Sequence, residues 1–168
     1  DSANGKRAWQ WDSDLIGYDA LNSYGSPSYY VQNLFSHYLG NKIVPLTVAN
    51  IPMQKMPLSK RDSAEGKTQK FIPTIFYSAT MNDTTGTLYL KIVNTTAKKQ
   101  TVKINLDGIA KVAPEAALVV IKGSKPDETN SITEPENIIP VTRTIKGIKK
   151  SFSNMLDPNS VSIIEIKT

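Results

Sequence analysis

Fifteen acidic side chains, two tryptophans and one histidine are the groups through which this 168-residue chain could do chemistry. Acid–base cleavage of a glycosidic bond needs two carboxyl groups about 5 to 5.5 Å apart for retention, or roughly 6.5 to 9.5 Å apart for inversion. Number alone does not exclude such a pair, but placement argues against it. Glu65, Asp83, Asp107, Asp127, Glu128 and Asp157 fall in turns or polar stretches, where a solvated acid is the ordinary outcome. Asp12, Asp14 and Asp19 lie inside an aromatic-rich segment, where loop shaping and capping compete with a catalytic role. Trp9 and Trp11 are two residues apart and would project to one side of a strand. Their faces could stack on a sugar ring; a packed core or domain-boundary pair is the other reading.

Other chemistries lack their parts. There is no cysteine, so disulfides and thiolate metal sites are ruled out, and His37 alone cannot build a histidine metal centre or triad. Ser26 and Ser36 have no Gly-x-Ser-x-Gly setting, and phosphate-loop, dinucleotide and calcium-loop patterns do not occur. No cofactor or metal is expected. The sequons Asn82-Asp83-Thr84 and Asn94-Thr95-Thr96 are at chance level. The net charge of +5 raises the question of nucleic acid. Yet Arg7, Arg61 and Arg143 are far apart, the lysines are scattered, and Lys91, Lys103, Lys122 and Lys167 alternate with apolar neighbours. That is the pattern of the wet face of a strand, so no nucleic-acid partner is expected. No run approaches the roughly 18 apolar residues of a membrane span, and no signal peptide is visible at the amino terminus.

The elements that must position these residues come in two styles. In the first, Ser26-Pro27 predicts a helix start, with serine as N-cap and proline at the first helical position. Val31, Leu34, Phe35 and Tyr38 form one apolar stripe, and Gly40-Asn41 suggests a left-handed cap. Leu15 to Tyr18 reads as a short buried strand end or loop. From Lys42 the period falls to two. Strands are predicted over Ile43 to Val48, Phe71 to Ala79 (with Pro73 marking an edge or bulge), Thr87 to Val93 and Thr101 to Leu106. More follow over Ala117 to Lys122, Ile138 to Ile145 and Val161 to Lys167. Turns are expected at 82–86, Asp107-Gly108, 122–124, Lys146-Gly147 and 157–159, and a polar loop or irregular edge over 52–70. Short strands and regular turns give a mainly β chain, an antiparallel sandwich or jelly roll.

The first forty residues carry a resemblance. The run from Trp11 to Asp19, Tyr24-Gly25-Ser26-Pro27-Ser28-Tyr29-Tyr30-Val31-Gln32, Leu34-Phe35-Ser36 and Gly40-Asn41-Lys42 resemble the end of the barrel in α-L-arabinofuranosidases of glycoside hydrolase family 51. Gly86 to Asn94, Asn130-Ser131, Pro135, Ile139-Pro140 and Asn159 to Ile166 are similar to that family's carboxy-terminal domain, in order. Ser13 and Gly17 depart from it, at places where proline and a bulkier residue are common. The resemblance implies a two-part chain. Residues 1–41 would be the strand–loop–helix remnant of a (β/α)8 barrel, and 42–168 the jelly-roll accessory domain. It also implies an enzyme that removes terminal arabinofuranosyl groups from arabinan and arabinoxylan with retention. The catalytic glutamates would lie upstream of Asp1; none of Glu65, Glu115, Glu128, Glu134, Glu136 or Glu165 matches their motifs, so no catalytic residue is assigned and the isolated chain is expected to be inactive. Trp9, Trp11, Asp12 and Asp14 would form part of a substrate wall. The expected partners are the barrel of the same polypeptide and an arabinose-containing polysaccharide, with self-association open. The expected location is secreted or periplasmic. A strand and helix cut from a barrel expose apolar surface, and would dock on the sandwich, stay disordered or drive association. The rivals are a sandwich carbohydrate-binding module, with the tryptophans as its platform, and an immunoglobulin-like scaffold domain.

Overall fold

A computed structural model of the protein describes residues 14–56 and 60–168. In chain order the elements are β1 (Ile16–Tyr18), β2 (Ser23–Gly25), α1 (Pro27–His37), β3 (Lys42–Ile43), β4 (Met53–Lys55), α2 (Lys60–Ala64) and β5 (Phe71–Pro73). They continue with β6 (Ile75–Asn82), β7 (Thr87–Asn94), β8 (Gln100–Asn105), β9 (Glu115–Lys122), β10 (Val141–Lys146), β11 (Ser151–Leu156) and β12 (Ser160–Lys167).

The alternating pattern decides the layers. Six antiparallel strands form one sheet in the order β10-β9-β12-β7-β6-β3, with β12 paired along its length to β7 and β9. One face carries Leu88, Leu90, Ile92, Leu118, Ile164 and Ile166, all buried. Against it lies the β11-β8 ribbon, which contributes Val102, Ile104, Phe152 and Leu156. That is the expected antiparallel β-sandwich, with its core between the two layers. Residues of opposite parity (Val119, Ile121 and Ile163) form a second buried cluster on the outer face of the large sheet. The cover there is α1, whose Tyr30, Val31, Leu34, Phe35 and Tyr38 pack on those side chains. The helix therefore docks on the sandwich.

The helix starts as its sequence dictates. Ser26 is the N-cap, with its hydroxyl accepting from the Tyr29 N–H at 3.2 Å, and Pro27 opens the first turn. It ends differently. Tyr38 is the C-cap at φ −91°, and Gly40 has no left-handed backbone. Glycine is needed at position 40 for another reason: a Cβ there would strike the Met81 backbone, while the Gly40 N–H donates to Thr80 Oγ1 at 3.0 Å. The turns predicted at Gly86, Gly108 and Gly147 do use positive φ, as does Asn159 (φ 43°).

Other expectations shift. Of the segment Ile43 to Val48 only Ile43 stays in the sheet, joined there by Lys42. Pro73 cannot donate to a ladder, and the stretch 71–79 splits there. Phe71–Pro73 pairs with Met53–Lys55 in a separate ribbon, and the main sheet resumes at Ile75. The polar stretch 52–70 thus contains β4 and α2. Strand β11 is not among the predicted strands; its Ser-Phe-Ser-Asn-Met-Leu sequence has no β-branched residue, and it is made by register with β8, from Ser151↔Asn105 to Leu156↔Gln100.

Candidate functional site

Carboxylates come first, since hydrolysis would depend on them. Among the described residues no Asp or Glu is buried, whereas a general acid is usually created by burial that raises its pKa. The resolved shifts run the other way. Arg61 and Lys67 hold Glu65 below the usual carboxylate range. Lys42, then Asn41, do the same for Asp83. Glu128 is lowered by the Ser124 hydroxyl and N–H, which it accepts within its own turn. Asp157 pairs with Lys122 at 3.3 Å, Glu115 with Lys146 at 3.4 Å and Glu165 with Lys167 at 2.8 Å. Asp19 shapes a turn: its Oδ1 accepts from the N–H groups of Leu21 (2.9 Å) and Asn22 (2.7 Å). These are surface ion pairs and turn caps.

A groove of about 300 Å³ lies between the start of α1 and the ends of β7, β9 and β12. Its walls are Pro27, Val31, Val93, Ile121, Ile138 and Val161, with Asn94, Lys122, Lys125, Glu128 and Asn159 at the polar margin. Among the described residues Glu128 is the one carboxylate on that lining and is already engaged, and none of them brings an aromatic face for a sugar ring. Asn94 is 1% exposed, and both hydrogens of its amide are used, donating to the Lys98 and Asp157 carbonyls at 2.8 Å each. An amide so placed cannot accept a glycan, which disposes of that sequon.

Two of the polar groups that the structure buries, Lys91 and Asn130, tie α1 and its flanking hairpin to the rest of the sandwich. Lys91, expected on a wet face, is 5% exposed. Its ammonium donates to the Phe35 carbonyl at 2.9 Å and sits 4.8 Å from the centroid of the Phe35 ring. Burial pushes its pKa down. Two-residue alternation marks one face of β7 as polar, and it cannot reveal that a helix covers that face. Beside it, Tyr38 meets Tyr89 edge to face at 5.9 Å. Asn130 is the second tie, donating to the Gly25 carbonyl at 2.8 Å and to the Ile138 carbonyl at 2.9 Å while accepting from the Ile138 N–H at 2.6 Å. An asparagine within a polar stretch gives no signal of such a role. Gly17 leaves the space that the buried Tyr24 ring fills, since a Cβ there would overlap the ring.

Of the proposed substrate-wall residues, Trp9, Trp11 and Asp12 lie outside the described residues, and Asp14 is exposed. His37 is exposed, its Nδ1 2.8 Å from the Asn33 carbonyl. Among the described residues no group of three His, Cys, Asp or Glu could hold a metal ion, and no helix is long and apolar enough to cross a membrane.

Comparison with known proteins gives a consistent result. Residues 9–160 match the family described as the α-L-arabinofuranosidase C-terminal domain. An arabinose-bound family 51 α-L-arabinofuranosidase is similar at 27% identity and a TM-score of 0.74, over 95% of this chain and 22% of that one. The thermostable family 51 enzyme of Thermotoga petrophila RKU-1 (18% identity, TM-score 0.74, 91% of this chain and 31% of that one) has the same fold. So does the family 51 enzyme of Xanthomonas axonopodis pv. citri (18%, 0.69, 91% and 28%). The chain thus spans between about a fifth and a third of the length of these relatives. No curated protein matches the sequence.

Proposed function

Because this chain belongs to the family of α-L-arabinofuranosidase C-terminal domains, we propose that it is the supporting sandwich of a retaining arabinofuranosidase, joined to the last strand–helix unit of that enzyme's barrel. In this reading residues 1–41 belong to the barrel and 42–168 to the sandwich. The catalytic glutamates come from the rest of the barrel, and the substrates are terminal arabinofuranosyl groups of arabinan and arabinoxylan, met outside the cell or in the periplasm. Trp9, Trp11, Asp12 and Asp14 form one wall of the sugar site, completed by other barrel strands.

The observation that carries the proposal is the docking of α1. Its apolar stripe packs on the outer face of the sandwich sheet, with Leu34 buried and Val31, Phe35 and Tyr38 partly so. An element with the sequence of a barrel helix thereby gains its packing partner from the sandwich, which is what a support domain supplies. The absence of buried acids among the described residues points the same way, since a chain doing its own hydrolysis would need a carboxyl held protonated near neutral pH.

A carbohydrate-binding module is the competing assignment, and affinity electrophoresis in arabinan and arabinoxylan gels separates the two. The support reading expects the wild-type chain, Trp9→Ala and Trp11→Ala to migrate alike with and without polysaccharide. Retardation of the wild type that disappears in the tryptophan variants would transfer the chain to the binding-module class.

A further inference from the structure

We propose that Lys91 is the latch that sets the position of α1 on the sandwich, and through it the placement of the strand–helix unit that α1 closes. The lysine stands on β7, an interior strand of the six-stranded sheet, on the face turned to the helix. Phe35 belongs to the last turn of α1, where a carbonyl has no partner within the helix and the helix dipole presents partial negative charge. The buried ammonium meets that carbonyl at 2.9 Å and rests against the ring of the same residue.

The apolar contacts around it cannot select a position alone, and the polar ties at Gly25 and Gly40 lie beyond the two ends of the helix. Val31, Leu34, Phe35 and Tyr38 press on Val119, Ile121 and Ile163 through apolar surface, which is non-directional and tolerates a helix sliding or turning. A single cation aimed at one carbonyl does select, much as a lone buried polar group fixes register in helical assemblies. Keeping that charge buried carries a cost, seen in the lowered pKa of Lys91. An aliphatic side chain would fill the same space without that cost, so what the ammonium adds is position. That α1 closes a barrel rests on the functional reading above; that Lys91 seats α1 on the sheet does not.

The test is hydrogen exchange on the 168-residue chain, comparing wild type with Lys91→Met, which keeps the stem and removes the charge. The amides of α1 and the Tyr38 N–H (bonded to the Leu34 carbonyl) should lose roughly ten- to hundredfold in protection, the value of one charge-assisted hydrogen bond. Amides of β7 and β12 that exchange through global unfolding, and the urea midpoint, should fall by no more than that same amount, because unfolding breaks the contact too. Unchanged α1 protection would overturn the proposal, because packing alone would then account for the residue. Should the variant not fold, reductive methylation of the native wild type decides. Lys91 should react far more slowly than the exposed Lys103 and Lys122, and at the rate at which α1 amides open. Reaction at the rate of the exposed lysines would refute the latch. Neither readout depends on arabinofuranosidase activity, so failure of the functional reading leaves this one intact.

Discussion

Asn130→Ala removes a side chain that ties the hairpin before α1 to the far loop of the sandwich. Asn130 is 1% exposed and makes three hydrogen bonds, two given and one received. Alanine strands the Ile138 N–H in the interior, which costs about 1–3 kcal/mol, and leaves the Gly25 and Ile138 carbonyls short of a donor, a smaller penalty because a carbonyl tolerates loss of one partner better. The sum is about 3 kcal/mol, or roughly 6–12 °C in Tm for a domain of this size. Urea unfolding followed by far-ultraviolet circular dichroism should show a lower midpoint with unchanged slope. Asn130→Asp sharpens the test. It keeps an acceptor for the Ile138 N–H but turns an oxygen toward two carbonyls. Its buried carboxyl would have a folded-state pKa above the unfolded value, so its penalty should be largest near neutral pH and shrink as pH falls through that folded pKa. A loss below about 1 kcal/mol in the alanine variant, or an aspartate variant insensitive to pH, would refute the account of this tie.

Other expectations follow from single contacts. Gly40→Ala should destabilise by about 3 kcal/mol because its methyl enters the Met81 backbone; Gly66→Ala, with open space around it and φ +65°, should lose only about 1–2 kcal/mol from the left-handed backbone, and equal losses in thermal denaturation would contradict the steric argument. Acid should weaken the fold in a defined window. Asp83, Glu65 and Glu128 have folded pKa values below their unfolded ones, so their contribution is complete above the unfolded values and fades as pH drops through the folded ones. Urea midpoints should therefore be flat from neutral pH to about 5 and fall below it, and Asp83→Asn should flatten part of that slope.

Local rules written into a few residues made much of this fold legible. Ser26 and Pro27 mark the helix start because the orphan N–H groups of a first turn call for that pair, and Leu88, Leu90 and Ile92 mark a buried face because a strand alternates. What stayed hidden depends on contacts far apart in the chain. The burial of Lys91 is decided by a helix fifty-six residues away, which the alternation of β7 cannot report. Gly40 looks like a cap because it follows a helix, yet it is held by Met81 on a distant strand. Asn130 sits in a polar stretch like any surface asparagine until its partner at Gly25, 105 residues earlier, is known. In the functional region, Asp19, Glu65, Asp83 and Glu128 bond to nearby residues or surface lysines in turns and polar stretches, which local turn chemistry makes legible. The polar ties between helix and sheet carried no sequence signal.

One assay bears most directly on the division of labour between sandwich and barrel: hydrolysis of an aryl α-L-arabinofuranoside by the purified 168-residue chain. A rate indistinguishable from buffer, at any enzyme concentration, is what a support domain requires. Saturable release of the aryl alcohol that vanishes when an acid of this chain is changed to its amide would contradict it.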